Sequence, residues 1–199
     1  MEQIHQAIIL HPLSAQRSRY LVFDNHWGPI ELSLKKRGVF KEPARGALIE
    51  YTPQQQSNRY SATHLEIIAM PDLWAVEHIH FLHHLVELID FFIPAGNQAE
   101  YIFSLMLLIY RPLPAEVDML FFQKFFLCKF FILVGIYPEP RHLQDHEFLT
   151  FMQAEQALVI HEKKYVFLEK KMIQWLQECI RLHPHADRLK TTTMEPWYG

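Results

Sequence analysis

The chain has 199 residues and a formal net charge of −3, and half of its residues are apolar. This balance is typical of a globular protein of one or two domains and excludes a disordered or fibrous chain. The six glycines show no G-x-G or G-x-x-x-x-G spacing, which excludes the common phosphate-binding loops. Two cysteines are too few for a zinc ribbon or a disulfide framework.

Targeting and membrane signals are missing from the pattern. The start of the chain has no basic region followed by an apolar one, so no signal peptide is predicted. The most apolar stretch, 121–137, is interrupted by Lys124 and Lys129, which disfavours a spanning helix. Because Cys128 and Cys179 both fall in helical patterns, we expect reduced thiols and a cytoplasmic protein.

Residues 1–70 contain five short extended runs separated by turn residues and no segment of helix length. These runs cover 6–10, 19–23, 30–34, 47–52 and 60–69. Alternation of apolar and polar residues, clearest in 30–34, is the period of a half-buried strand. So few strands bury little surface unless they wrap around, and the segment therefore predicts a small, closed antiparallel barrel.

After Pro71 the apolar residues recur every three to four positions, which is the period of a helix. Helices are predicted over 72–93, 99–110, 115–134, 145–158 and 163–182. The sequence therefore predicts an α+β chain. It has three parts: a barrel over 1–70, an all-α helical bundle over 71–182 and a loose tail over 183–199.

A basic loop follows the third predicted strand. Its cations can follow a phosphate backbone and release counterions, and two further arginines beside the first turn could extend the track. The cations concerned are Lys35, Lys36, Arg37, Lys41 and Arg45, with Arg17 and Arg19. The alternative is a solvated loop whose charge only favours solubility. The aromatic residues of this segment could stack on bases, although filling the barrel is the simpler interpretation.

Lys124 and Lys129 lie in a helix otherwise made of large apolar residues. Burying an ammonium group is costly, so each side chain must reach the surface or pair with an acidic side chain. The functional alternative is a cation at the rim of an apolar groove. Such a groove suits a peptide that ends in hydrophobic residues and a carboxylate.

His80, His84 and Glu87 lie at i, i+4 and i+7 of a predicted helix and could hold a divalent metal. The alternative is a half-exposed helix face rich in imidazoles. No G-x-S-x-G or H-E-x-x-H motif occurs, and no pair of carboxylates stands out. The sequence therefore predicts a protein that is not an enzyme, without catalytic residues, metal, other cofactor or small-molecule substrate.

The order of features resembles the bacterial recombination-mediator family RecO. The similarity runs over roughly residues 4–140 and depends on the order and spacing of several short segments. These are Trp-Gly-Pro-Ile-Glu-Leu at 27–32, the basic loop at 35–41, Gly-Ala-Leu-Ile-Glu-Tyr-Thr at 46–52, His-Leu-Val-Glu-Leu-Ile at 84–89, and the Gly-x-x-Pro helix end within 126–138. The chain departs from the family in having Tyr51 at the place of a proline. It also has no cysteine in 139–153, where many members carry a four-cysteine zinc module.

The resemblance implies a DNA-repair protein that binds single- and double-stranded DNA through an oligonucleotide/oligosaccharide-binding (OB) barrel. It further implies strand annealing and, together with RecR, loading of the recombinase on strands coated by single-stranded-DNA-binding protein (SSB). On this basis the basic loop would contact DNA in the bacterial cytoplasm, at the nucleoid. Lys129, at the place of a family arginine, would hold the SSB tail carboxylate, with Lys124 as a companion. Two alternatives stay open: a metal-dependent hydrolase using His80, His84 and Glu87, and a protein-docking adaptor that does not bind DNA.

Overall fold

The computed structural model describes residues 3–14, 18–34, 42–56, 59–95, 99–114, 117–136 and 165–181. These residues form a mixed α+β structure in which the strands precede the helices, so the predicted α+β class is confirmed. The chain divides into two compact units, residues 1–111 and 112–199.

Five strands close into a barrel in the order β1-β2-β3-β5-β4. They are β1 (His5–Pro12), β2 (Arg19–Asp24), β3 (Gly28–Leu34), β4 (Leu48–Gln56) and β5 (Arg59–Ala69). The predicted closed barrel is therefore confirmed, but β3 pairs with β5 in parallel. The expectation of a purely antiparallel barrel was wrong for a geometric reason: strand direction cannot alternate all the way round a closed ring with an odd number of members.

The barrel core is built from side chains that alternate along the strands. The inward-facing set includes Ala7, Ile9, Tyr20, Val22, Ile30, Leu32, Leu34, Ile49 and Tyr51. On β1 the intervening residues Ile8 and Leu10 are buried as well, because α2 of the first unit contacts the outside of this strand. This double burial explains why β1 reads as a continuous apolar run rather than an alternating one.

Within the described residues of the first unit, three α-helices and a 3₁₀ turn follow the barrel. They are α1 (Asp72–Val76), α2 (Ile79–Phe92), α3 (Glu100–Met106) and the 3₁₀ turn Leu107–Tyr110. The helix predicted from residue 72 is thus divided in two. Phe23 packs on Phe103 with ring centroids 5.6 Å apart, and the Tyr110 hydroxyl donates a 2.8 Å hydrogen bond to the Gly46 carbonyl. These contacts hold the helices against the barrel, so the compact unit continues to Arg111 although the barrel ends near residue 70.

The second unit contains α4 (Met119–Leu133) and α5 (Tyr165–Arg181). The Asp118 carboxylate accepts the backbone N–H groups of Leu120 and Phe121 and so caps α4, which begins four residues later than predicted.

Three contacts between these helices advance in the same direction along both of them. Lys124 meets Glu169, Cys128 meets Met172 and Phe131 meets Trp175, which makes α4 and α5 parallel neighbours. The helix predicted over 145–158 and the tail predicted over 183–199 lie outside the described residues. Among the helices described, none is long and apolar enough to cross a membrane.

Candidate nucleic-acid interface

The basic track predicted from the sequence is described only at two positions. Arg17, Lys35, Lys36, Arg37 and Lys41 lie outside the described residues. They belong to the connections from β1 to β2 and from β3 to β4. Arg19 and Arg45 are described, and their surroundings differ.

Arg19 is the first residue of β2 and lies opposite Ser33 of β3. Its Nη1 is 3.9 Å from Oε2 of Glu31, and both side chains are more than half exposed. An exposed ion pair at this distance contributes little free energy, so it does not hold the guanidinium in one place. Arg19 therefore remains accessible on the outer β2–β3 face of the barrel.

Arg45 lies in the turn before β4 and is partly buried. Burial lowers the pKa of Arg45, while the carboxylates of Glu87 and Asp90 on α2 oppose the shift. Those carboxylates balance its charge, so Arg45 is less available to a distant phosphate than an exposed arginine would be.

A buried carboxylate at the end of β2 organises one end of the barrel. Asp24 Oδ1 accepts the backbone N–H groups of His26 and Trp27, each at 2.8 Å. Its Oδ2 accepts the Tyr51 hydroxyl at 2.6 Å and lies 3.1 Å from Nδ1 of His5. Four donors satisfy the charge, which a buried carboxylate requires. Burial, and then the charge of Asp24, raises the pKa of the Tyr51 phenol far above its ordinary value.

Aromatic rings surround this carboxylate. The centroid of His5 is 4.3 Å from that of Trp27 and 4.6 Å from that of His26, and Trp27 lies 4.5 Å from Tyr60. Trp27 and Tyr60 are half-buried and pack against the barrel core, which favours the core-filling interpretation of these residues. Local spacing does not identify Asp24 as the centre of this network, because strand pairing brings His5 and Tyr51 to it.

The two predicted partner-binding lysines lie in different environments. Lys124 is 5% exposed, and its Nζ is 2.6 Å from Oε1 of Glu169. Lys129 is half-buried, with its Nζ 5.7 Å from the centroid of the Phe125 ring. Lys124 therefore forms an ion pair with an acidic side chain. Lys129 lies over an aromatic face in cation–π contact.

The histidine face of α2 does not form a metal site in the structure. His80 is exposed, whereas His84 is only 2% exposed, and burial lowers the pKa of His84 to about 4. No group of three or more His, Cys, Asp or Glu side chains within the described ranges could hold a metal ion. His80, His84 and Glu87 all belong to those ranges, so their shared helical spacing does not bring them together as ligands.

Comparison of the sequence with known proteins does not assign the chain to a family. No protein-family model matches the chain, and no curated protein matches it significantly.

Proposed function

We propose that the chain is a nucleic-acid-binding protein with an OB-type barrel, acting as a recombination mediator of the RecO kind and not as an enzyme. The observation that carries this proposal is the strand order of the barrel. Five strands close through antiparallel pairing of β1 with β4 and parallel pairing of β3 with β5. A five-stranded barrel closed in this way is typical of the OB architecture, which binds oligonucleotides on its β2–β3 face.

The position of the basic segment supports the same function. The connection from β3 to β4 contains Lys35, Lys36, Arg37 and Lys41, and Arg19 lies exposed on the β2–β3 face. Such cations would bind the phosphate backbone through counterion release. The capture is then electrostatic and largely independent of base sequence, as strand annealing requires.

The partners follow from the RecO resemblance and from the second unit. A RecR-type protein would share the DNA, and the acidic, hydrophobic tail of SSB would bind beside Lys129 on α4. Lys129 is half-buried and its Nζ lies over the Phe125 ring, which suits a peptide that carries apolar side chains and a terminal carboxylate. Such a protein would act in the bacterial cytoplasm, at the nucleoid.

The proposal is tested by fluorescence anisotropy with a labelled single strand of about 20 nucleotides, longer than the ~4–16 nucleotides that one OB barrel covers. A peptide nucleic acid of the same base sequence, which has no phosphates, is the matched control. Binding of DNA that weakens between about 50 and about 200 mM salt, with no binding of the control, is the expected result. Absence of DNA binding at the lower salt concentration would contradict the proposal.

A further inference from the structure

An exposed ion pair lies on the outer β2–β3 face of the barrel, where the proposed function places the nucleic acid. Arg19 of β2 lies opposite Ser33 of β3, which makes Glu31 its diagonal neighbour on the same face. Nη1 of Arg19 is 3.9 Å from Oε2 of Glu31, and the two side chains are 56% and 66% exposed. A phosphate that approached Arg19 would also meet the Glu31 carboxylate, and the two anions would compete for one guanidinium.

A second arginine reaches the same face from β5. The strands β3 and β5 pair in parallel, with Leu32 opposite Tyr60. Leu32 is buried, and Tyr60 packs against the barrel core. Arg59 is exposed and has no ion pair in the part of the chain that the structure describes. Because successive side chains of a strand point to opposite faces, the residues that precede this pair, Glu31 and Arg59, lie side by side on the outside of the barrel.

The three charged side chains form a row across β2, β3 and β5, with the glutamate between the two arginines. Neighbouring strands are about 5 Å apart, so the arginines are separated by about 10 Å across the face. A guanidinium offers a fork of donors that matches the geometry of a phosphate, whereas a carboxylate repels it. The row therefore contains two groups that favour binding of a polynucleotide backbone and one group between them that opposes it.

We propose that Arg19 and Arg59 both bind phosphates of the nucleic acid, across the junction of β3 with β5, and that Glu31 between them limits the affinity. This inference rests on the proposed function, because the phosphates belong to the bound strand. It adds to the basic track a cation that the sequence did not predict there. It also gives a carboxylate on the binding face a role opposed to that of its neighbours.

The role of Glu31 is tested by fluorescence anisotropy with the labelled single strand. Glu31→Gln removes the opposing carboxylate, and the control Glu66→Gln removes an exposed carboxylate near the opposite end of β5 from Arg59. We expect Glu31→Gln to bind about threefold more tightly than wild type, as the removal of one exposed charge contact allows. Glu66→Gln should bind like wild type, because salt screens a charge that far from the row.

The role of Arg59 is tested in the same assay. Arg59→Gln removes the second guanidinium, and Arg111→Gln makes the same change of charge at another exposed position. We expect Arg59→Gln to bind about threefold more weakly than wild type. Its log–log salt slope should be shallower by about 0.7, the value of one phosphate contact, while Arg111→Gln keeps the wild-type slope.

The outcomes separate this inference from the proposed function. DNA binding by wild type, with equal affinities for the two glutamate variants or for the two arginine variants, would overturn the inference and leave the proposed function standing. Weaker binding by Glu31→Gln than by Glu66→Gln would overturn it as well. Absence of DNA binding by wild type and every variant at about 50 mM salt would overturn both.

Discussion

The Nζ atom of Lys124 lies 2.6 Å from Oε1 of Glu169, at the contact between α4 and α5. Lys124 is nearly buried while Glu169 is one third exposed. A lysine in the middle of an apolar helix is therefore neutralised by the neighbouring helix rather than by solvent. The pair makes α5 part of the environment of a residue that sequence reasoning assigned to partner binding.

We expect Glu169→Gln to destabilise the second unit more than Lys124→Met does. The glutamine variant leaves a buried ammonium without its counter-charge. It should cost about 2 kcal/mol, less than the ~3–5 kcal/mol of a fully buried pair because Glu169 is partly exposed. Lys124→Met fills similar volume and leaves Glu169 free to be solvated. Urea unfolding measures both free energies, and equal losses would show that the pair contributes little.

Tyr51→Phe tests the network around Asp24. The variant removes one of four donors to a buried carboxylate, and hydrogen bonds to charged groups contribute ~1.5–3 kcal/mol, so we expect a loss of about 2 kcal/mol. Tyr101→Phe, at a position 79% exposed, is the matched control and should be nearly neutral. A free energy of unfolding as high as that of the control would mean that the Asp24 contact is not stabilising.

Because the His84 imidazole is buried, we expect the protein to lose stability in acid. The folded pKa of His84, about 4, lies below the ordinary value of 6.5, so the unfolded chain binds the proton more tightly. The free energy of unfolding is therefore unaffected by this imidazole above pH 6.5 and decreases between pH 6.5 and about 4. The loss is roughly 2 kcal/mol at pH 5. The midpoint of urea unfolding should fall less steeply with pH in His84→Gln than in wild type, while the exposed-site variant His64→Gln should follow wild type. Parallel curves for all three proteins would contradict this assignment.

Lys129→Glu tests the proposed docking of the SSB tail. The variant places a carboxylate where the terminal carboxylate of the peptide would bind, so we expect at least tenfold weaker binding of a tail peptide, equivalent to about 1.4 kcal/mol. DNA affinity should stay the same. Lys170→Glu, an exposed position on α5, makes the same change of charge and is the control. If both variants bound the peptide equally well, Lys129 would not be the docking residue.

The sequence predicted the strands well and the tertiary contacts poorly, for physical reasons. Alternation in 30–34 reports a local period, and β3 is found at Gly28–Leu34. The division of the first helix near His78 does not interrupt the apolar period, so no local signal marks it. Contacts such as Tyr51 to Asp24 and Lys124 to Glu169 join residues far apart in the chain, and only the folded barrel and helix pair bring them together.

At the candidate site, the charged residues could likewise be identified from the sequence, but their contacts with distant residues could not. The basic character of Arg45 is plain in the sequence. The carboxylates that balance its charge, Glu87 and Asp90, lie on α2 and are not revealed by local spacing. The spacing of His80 and His84 predicted a shared helix face. In the structure, His80 is exposed whereas His84 is buried in the first unit. Spacing therefore identified the titratable residues without revealing which of them solvent reaches.

The central claim is that the connection between β3 and β4 binds a phosphate backbone through its cations. The most direct measurement is the salt dependence of single-strand affinity for Lys35→Glu/Lys36→Glu. Arg111→Glu/Lys170→Glu is compared with it, since it makes the same change of net charge at two exposed positions. We predict that the loop variant binds more weakly and that its log–log slope is shallower by about 0.7 for each phosphate that it no longer neutralises, while the control keeps the wild-type slope. An unchanged slope in the loop variant, or an equal change in both, would contradict the claim.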